Sequence, residues 1–108
     1  MKKISDAELE VLKVIWEKGK VNSIDIIMEL EEFNWNNNTI RTLIKRLLEK
    51  EAIEIIEKNG KSFTYVAKIN EEEYKFEKTK NLLNQLYDGD INNLIENYNK
   101  FDKNTKNK

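Results

Sequence analysis

Neither cysteine nor histidine occurs in the 108 residues. Their absence excludes disulfides, thiolate or imidazole metal sites, and any catalytic centre built on Cys or His. Long apolar runs are missing too: Met1-Lys2-Lys3 leads straight into an amphipathic pattern without a signal-peptide core, so a cytoplasmic protein is expected. Strong net charge is also lacking. The total of −1 stands against the basic balance common in nucleic-acid-binding domains, but its distribution matters more than its sum. Between Asn34 and Lys50 the chain carries Arg41, Lys45, Arg46 and Lys50 against Glu49 alone, a local positive footprint on an otherwise acidic chain. The length allows one modest core plus an appendage. With 36% charged and 39% hydrophobic residues, that core should be built from helices with thin apolar stripes.

Ser5-Asp6-Ala7-Glu8 forms a capping box, in which the Ser5 hydroxyl accepts from the Glu8 amide and the Glu8 carboxylate reaches back to the Ser5 amide. Ile4 before the cap can staple onto Leu9, and Leu9, Val11, Leu12, Ile15 and Trp16 keep helical spacing until Gly19 ends a first helix over about 6–18. Lys20-Val21-Asn22 reads as a connector. Asn22 or Ser23 can cap a second helix with Ile24, Ile27, Met28 and Leu30 as its apolar residues, fading near Phe33. Asn34-Trp35-Asn36-Asn37-Asn38 is the most turn-like stretch and offers caps for a third helix. There Ile40, Leu43, Ile44, Leu47 and Leu48 fall at i, i+3, i+4, i+7 and i+8, one core stripe. The opposite face presents Asn38, Arg41, Thr42, Lys45 and Glu49, with Thr39 and Arg46 on its margin.

Beyond Ala52 the pattern changes. Ile53, Ile55 and Ile56 precede Lys58-Asn59-Gly60-Lys61, and Phe63, Tyr65 and Val66 follow, so two strands over about 53–58 and 62–67 joined at Asn-Gly are predicted. Asn70-Glu71-Glu72-Glu73 can cap a fourth helix to about Tyr87, where Asp88-Gly89-Asp90 breaks it. A fifth, short helix carries Ile91, Leu94, Ile95 and Tyr98. The division expected is a first domain over 1–69, a helical region over 70–98 and a disordered polar tail over 99–108.

Three helices followed by a hairpin is the order of a winged helix-turn-helix, a mainly α fold with a small β element, and the basic face lies on the third helix. A recognition helix buries one stripe and sets the other in the major groove, where Arg donates to guanine and Asn to adenine. Arg41, Lys45 and Arg46 are placed for this, with Asn38 and Thr42 between them. Asn37 and Thr39 stand at the helix N-terminus, whose free amides suit phosphate. Lys58, Asn59 and Lys61 form a narrow basic tip that can lie along a backbone. The competing readings are a merely solvated face and an ordinary soluble turn. Trp16 and Trp35 could stack on bases; roles in the core, with Trp35 as a plug before the third helix, are preferred. Three consecutive carboxylates at Glu71–Glu73 point in different directions on a helix and read as a cap, not a metal site. Phe76, Thr79, Leu83 and Leu86 form a narrow seam that Leu82, Tyr87, Ile91, Leu94 and Ile95 widen. This surface suits a homodimer on a two-fold operator; the alternative is that the fourth helix packs back on the first.

Taken together, Ile4-Ser5-Asp6-Ala7-Glu8-Leu9-Glu10-Val11, Ile15-Trp16, Trp35 and Thr39-Ile40-Arg41-Thr42-Leu43-Ile44-Lys45-Arg46-Leu47 resemble the penicillinase-repressor (BlaI/MecI) family. The likeness continues through Phe63-Tyr65, Tyr74-Lys75 and Lys80-Asn81 to Leu94-Ile95. It implies a dimeric repressor of β-lactamase or penicillin-binding-protein genes on double-stranded operator DNA. Release would come by proteolysis after a membrane-bound sensor protease detects a β-lactam. The family's cleaved Asn-aromatic bond falls on Asn97-Tyr98. Two departures stand out. Asn36-Asn37 replaces the family's usual Ser-Pro at the start of the recognition helix, so the rigid first turn is lost. After Phe101 only polar residues remain where the family usually has another helix, which implies a weaker or operator-assisted dimer. The copper-responsive branch carries C-terminal cysteines that this chain lacks, so neither metal nor cofactor is expected. The alternatives are a winged-helix module for protein contact, a repressor of the same family answering another signal and, lacking any nucleophile-base pair, an enzyme.

Overall fold

The computed structural model describes residues 3–102 and divides into two compact units, Met1–Asn70 and Glu71–Lys108. The first holds α1 (Asp6–Lys18), β1 (Val21–Asn22), α2 (Ser23–Glu29), a 3-10 turn (Glu31–Phe33), α3 (Asn37–Glu49), β2 (Ile53–Asn59) and β3 (Ser62–Ala67). The second holds α4 (Glu71–Leu86) and α5 (Ile91–Phe101). No described helix is long and apolar enough to cross a membrane.

The capping box at α1 forms in both directions: Ser5 Oγ accepts from the Glu8 amide at 3.1 Å, and the Ser5 amide donates to Glu8 Oε1 at 2.9 Å. Val11, Leu12 and Ile15 from α1, Ile26 from α2, Ile40 and Leu47 from α3, and Ile53 from β2 are almost wholly buried and make the core. Trp16 is half-buried, and its Nε1 donates to the Ile69 carbonyl at 2.9 Å, tying α1 to the end of this unit.

α3 is capped by Asn36, whose Oδ1 accepts from the Thr39 amide at 3.1 Å. It ends in a Schellman motif: Glu51 takes positive φ, the Glu51 amide donates to Leu48 and the Ala52 amide to Leu47. Asn36→Ala removes this side-chain cap at the start of α3 and should cost about 1 kcal/mol of stability. Thermal melting checks this, and an unchanged melting point would contradict the cap's role.

Several local expectations are corrected. α2 carries two apolar stripes at i, i+4 spacing. The buried one is Ile26 with Leu30, while Ile24 and Met28 are 60% and 63% exposed; periodicity alone does not choose between equal stripes on a seven-residue helix. The connector contains a strand: Val21 and Asn22 pair with Tyr65 and Thr64, so the sheet order is β1-β3-β2, antiparallel throughout. A register shift between Ile55 and Glu57 makes Ile56 a bulge residue, leaving it exposed. Asn59 pairs with Ser62, so the hairpin turns on Gly60-Lys61, one residue beyond the predicted Asn-Gly centre. Gly60 alone takes positive φ there, as in turns with glycine first.

Trp35 does not plug the core. It is half-exposed and stacks on Phe33, ring centroids 4.7 Å apart, because the 3-10 turn and the left-handed Asn34 bring the two rings together outside the apolar centre. The polar tail expected from residue 99 begins too early: Asn99, Lys100 and Phe101 belong to α5. Phe101 follows Leu94 and Tyr98 at helical spacing, and the helix stops at Asp102, whose amide donates to Tyr98. Residues 103–108 of that expectation lie outside the described residues.

Candidate nucleic-acid interface

The stripe Ile40, Leu43, Ile44, Leu47 is buried, and every polar residue assigned to the far side of α3 or its margin is exposed, Asn38, Thr39, Arg41, Thr42, Lys45, Arg46 and Glu49, as is Asn37 at the helix N-terminus. Thr42 Oγ1 donates to the Asn38 carbonyl at 2.9 Å, so its oxygen lone pairs are what it offers a partner. Among the described residues no carboxylate forms an ion pair with Arg41, Lys45, Arg46, Lys58 or Lys61. Lys58, Asn59 and Lys61 are exposed on the hairpin. Lys58 Nζ stands 5.6 Å from the Phe63 ring centroid, its cross-strand partner, so the side chain is partly held by a cation-π contact.

Lys50, counted with the basic footprint, serves another purpose. Its ammonium donates to Glu8 and, at 2.6 Å, to the Lys3 carbonyl. Burial would raise the Glu8 carboxyl, but the hydrogen bonds from Lys50 and from the Ser5 amide outweigh it and hold the pKa below the usual value. The end of α3 is thereby pinned to the start of α1. In the sequence Lys50 is indistinguishable from its basic neighbours, because its partner lies 42 residues away.

A groove of about 180 Å³ runs between α3 and the hairpin, lined by Ser23, Arg41, Ile44, Lys61, Phe63 and Tyr65. Ser23, Phe63 and Tyr65 were not among the residues predicted to bind. The missing signal is β1, whose two residues pair with β3 and bring the start of α2 to the groove. Burial pushes the Tyr65 hydroxyl pKa up, and the nearby Arg41 charge pulls it partly back.

In the second unit, Phe76 and Leu86 of α4 are each 63% exposed, as are Ile91, Ile95 and Tyr98 of α5 to about half. Leu83, Tyr87 and Leu94 are half-buried. The Thr79 hydroxyl donates to the Lys75 carbonyl within its own helix. Asp90 caps α5 by accepting from the Asn92 and Asn93 amides. Asn97 and Tyr98 lie well inside α5; Asn97 Oδ1 accepts from the Tyr87 hydroxyl at 2.8 Å, and the Asp102 carboxylate beside the Tyr98 hydroxyl raises its pKa.

Three helices, a two-stranded wing and an outward basic face on the third helix define a winged-helix DNA-binding domain. The solution structure of the DNA binding domain of the repressor BlaI has the same fold, with 44% identity and a TM-score of 0.59 over 68% of this chain and 94% of that one. The Bacillus licheniformis BlaI monomeric form in complex with the blaP half-operator superposes over the same shares at a TM-score of 0.55. The chain belongs to the penicillinase repressor family, whose model matches residues 4–107. The penicillinase repressor of Bacillus licheniformis is 40% identical over 96 residues, 88% of this chain and 74% of that protein. The methicillin resistance regulatory protein MecI of Staphylococcus aureus (strain N315) is 38% identical over 88% of this chain and 77% of its own length.

Proposed function

We propose that this chain is a transcriptional repressor of β-lactam resistance genes, encoding a β-lactamase or a penicillin-binding protein. It acts in the cytoplasm, without enzymatic activity, as a homodimer on a dyad operator. The observation that carries the reading is the exposed face of α3: Arg41, Lys45 and Arg46 form no ion pair with a carboxylate among the described residues, on a fold shared with BlaI. Asn37, Asn38, Thr39, Arg41, Thr42, Lys45 and Arg46 enter the major groove or meet its rim, and Lys58, Asn59 and Lys61 follow the backbone. The related BlaI engages a blaP half-operator in monomeric form; two halves make a dyad, and two chains fill it.

Phe76, Thr79, Leu83, Leu86, Tyr87, Ile91, Leu94 and Ile95 supply the dimer surface, because a monomer gains nothing from so many wetted apolar side chains on two helices. Release follows cleavage between Asn97 and Tyr98 by a membrane-bound β-lactam sensor protease or a protease under its control. That bond is helical and the Asn97 side chain is held by Tyr87, so α5 opens locally before cleavage.

A promoter fusion of the regulated gene, carried with and without this chain, tests the reading. Repression is expected, relieved on β-lactam exposure together with a fragment ending at Asn97 in intact-mass spectra. Unrepressed expression in the presence of the chain would overturn the repressor. Induction with the chain still whole would overturn the cleavage step.

A further inference from the structure

The groove between α3 and the hairpin gives Arg41 a different setting from its neighbours on the recognition helix. Arg41 and Ile44 stand one turn apart on α3, Lys61 is the second turn residue of the hairpin, and Phe63 and Tyr65 share one face of β3. Ser23 reaches the groove because Val21 and Asn22 are paired with the same strand. The polar lining is therefore two cations and two hydroxyls, with no carboxylate, over an apolar floor of Ile44 and Phe63. A volume of about 180 Å³ accommodates a phosphodiester group with a few waters, at roughly 30 Å³ per water.

We infer that this groove seats one backbone phosphate of the bound duplex, with Arg41 and Lys61 sharing its charge and the Ser23 and Tyr65 hydroxyls donating to its oxygens. The inference rests on the DNA-binding reading and changes the role of one residue within it: Arg41 positions the duplex and does not read a base. All four polar groups can donate. A phosphodiester presents only acceptors and a full negative charge, whereas every major-groove base edge except that of guanine carries a donor or a methyl group. An arginine that reads guanine projects ahead of its helix. Arg41 instead lines the groove together with Phe63 and Tyr65 of the sheet, near enough for its charge to act on the Tyr65 hydroxyl. Of the hairpin's two lysines, Lys61 is the one that lines the groove.

The experiment compares the full chain with Arg41→Ala, Lys61→Ala and the double variant. Each is titrated against the dyad DNA upstream of the protein's own gene and against random duplex, at two salt concentrations. Both side chains are exposed, so the variants should melt with the parent. Each single substitution should weaken binding to both duplexes alike, by roughly five- to tenfold, and lower the salt slope by about one. The double variant should lose less than the product of the single losses, because the second removal acts on a phosphate already half released. A loss for Arg41→Ala confined to the operator would make it a base reader and overturn the assignment. Losses that multiply would place the two cations on separate phosphates and overturn it equally. A parent chain that binds neither duplex would instead overturn the DNA-binding reading beneath it.

Discussion

Glu8→Ala is expected to lower the unfolding free energy by about 3 kcal/mol, combining a lost cap with a broken, largely buried ion pair. Glu8 is 2% exposed and its carboxylate does two things at once: it completes the capping box by accepting from the Ser5 amide, and it holds the Lys50 ammonium. Alanine leaves the Ser5 amide without its partner and Lys50 with only the Lys3 carbonyl. The melting point should fall by more than about 10 °C for a unit of this size. Glu8→Gln keeps an acceptor for Ser5 but not the charge, and should fall between parent and alanine. The pH dependence follows from the lowered pKa. Its contribution is fully present above the unfolded-state value of 4.5 and is lost as pH falls through the lower folded-state value. The stability gap between parent and Glu8→Gln should thus be widest near neutrality and close in acid. Chemical denaturation at several pH values checks this, and a gap constant across the range would mean that the charge contributes nothing.

Lys45→Glu should abolish useful operator affinity, lowering it by about a hundredfold or more, because a favourable contact becomes like-charge repulsion against phosphate. Lys45 stands on the exposed face of α3 in the middle of the proposed contact set. Folding should be untouched, so circular dichroism and melting should match the parent while binding is lost. An operator affinity within a few-fold of the parent would remove α3 from the major groove. Glu49, on the same helix and already acidic, marks where the contact face ends: Glu49→Gln should leave affinity nearly unchanged.

Much of the first unit was legible because local chemistry decided it. The Ser5-Glu8 box, the five-residue stripe of α3 and the β-branched runs around a glycine turn each point to one structure. What escaped detection depended on partners distant in sequence. β1 is two residues long and exists only through Tyr65 and Thr64. Ile26 and Ile24 are equivalent until the core selects one. Lys50 belongs to the fold and not to the basic face because Glu8 is folded against it. Trp35 found a partner in Phe33 two residues away, a local contact that a preference for burying tryptophan concealed. At the candidate interface, the exposed residues of α3 were readable from periodicity and the hairpin from its glycine turn. The groove was not, since Ser23 comes to it through β1 and Tyr65 through the sheet.

The most direct test of the account is an equilibrium titration of the full chain against the dyad DNA upstream of its own gene, at two salt concentrations, beside random duplex. The account predicts saturation at two chains per dyad, affinity for the dyad at least about a thousandfold above random duplex, and a steep loss of both as salt rises. Binding to the dyad no tighter than to random duplex, and unchanged by salt, would contradict it.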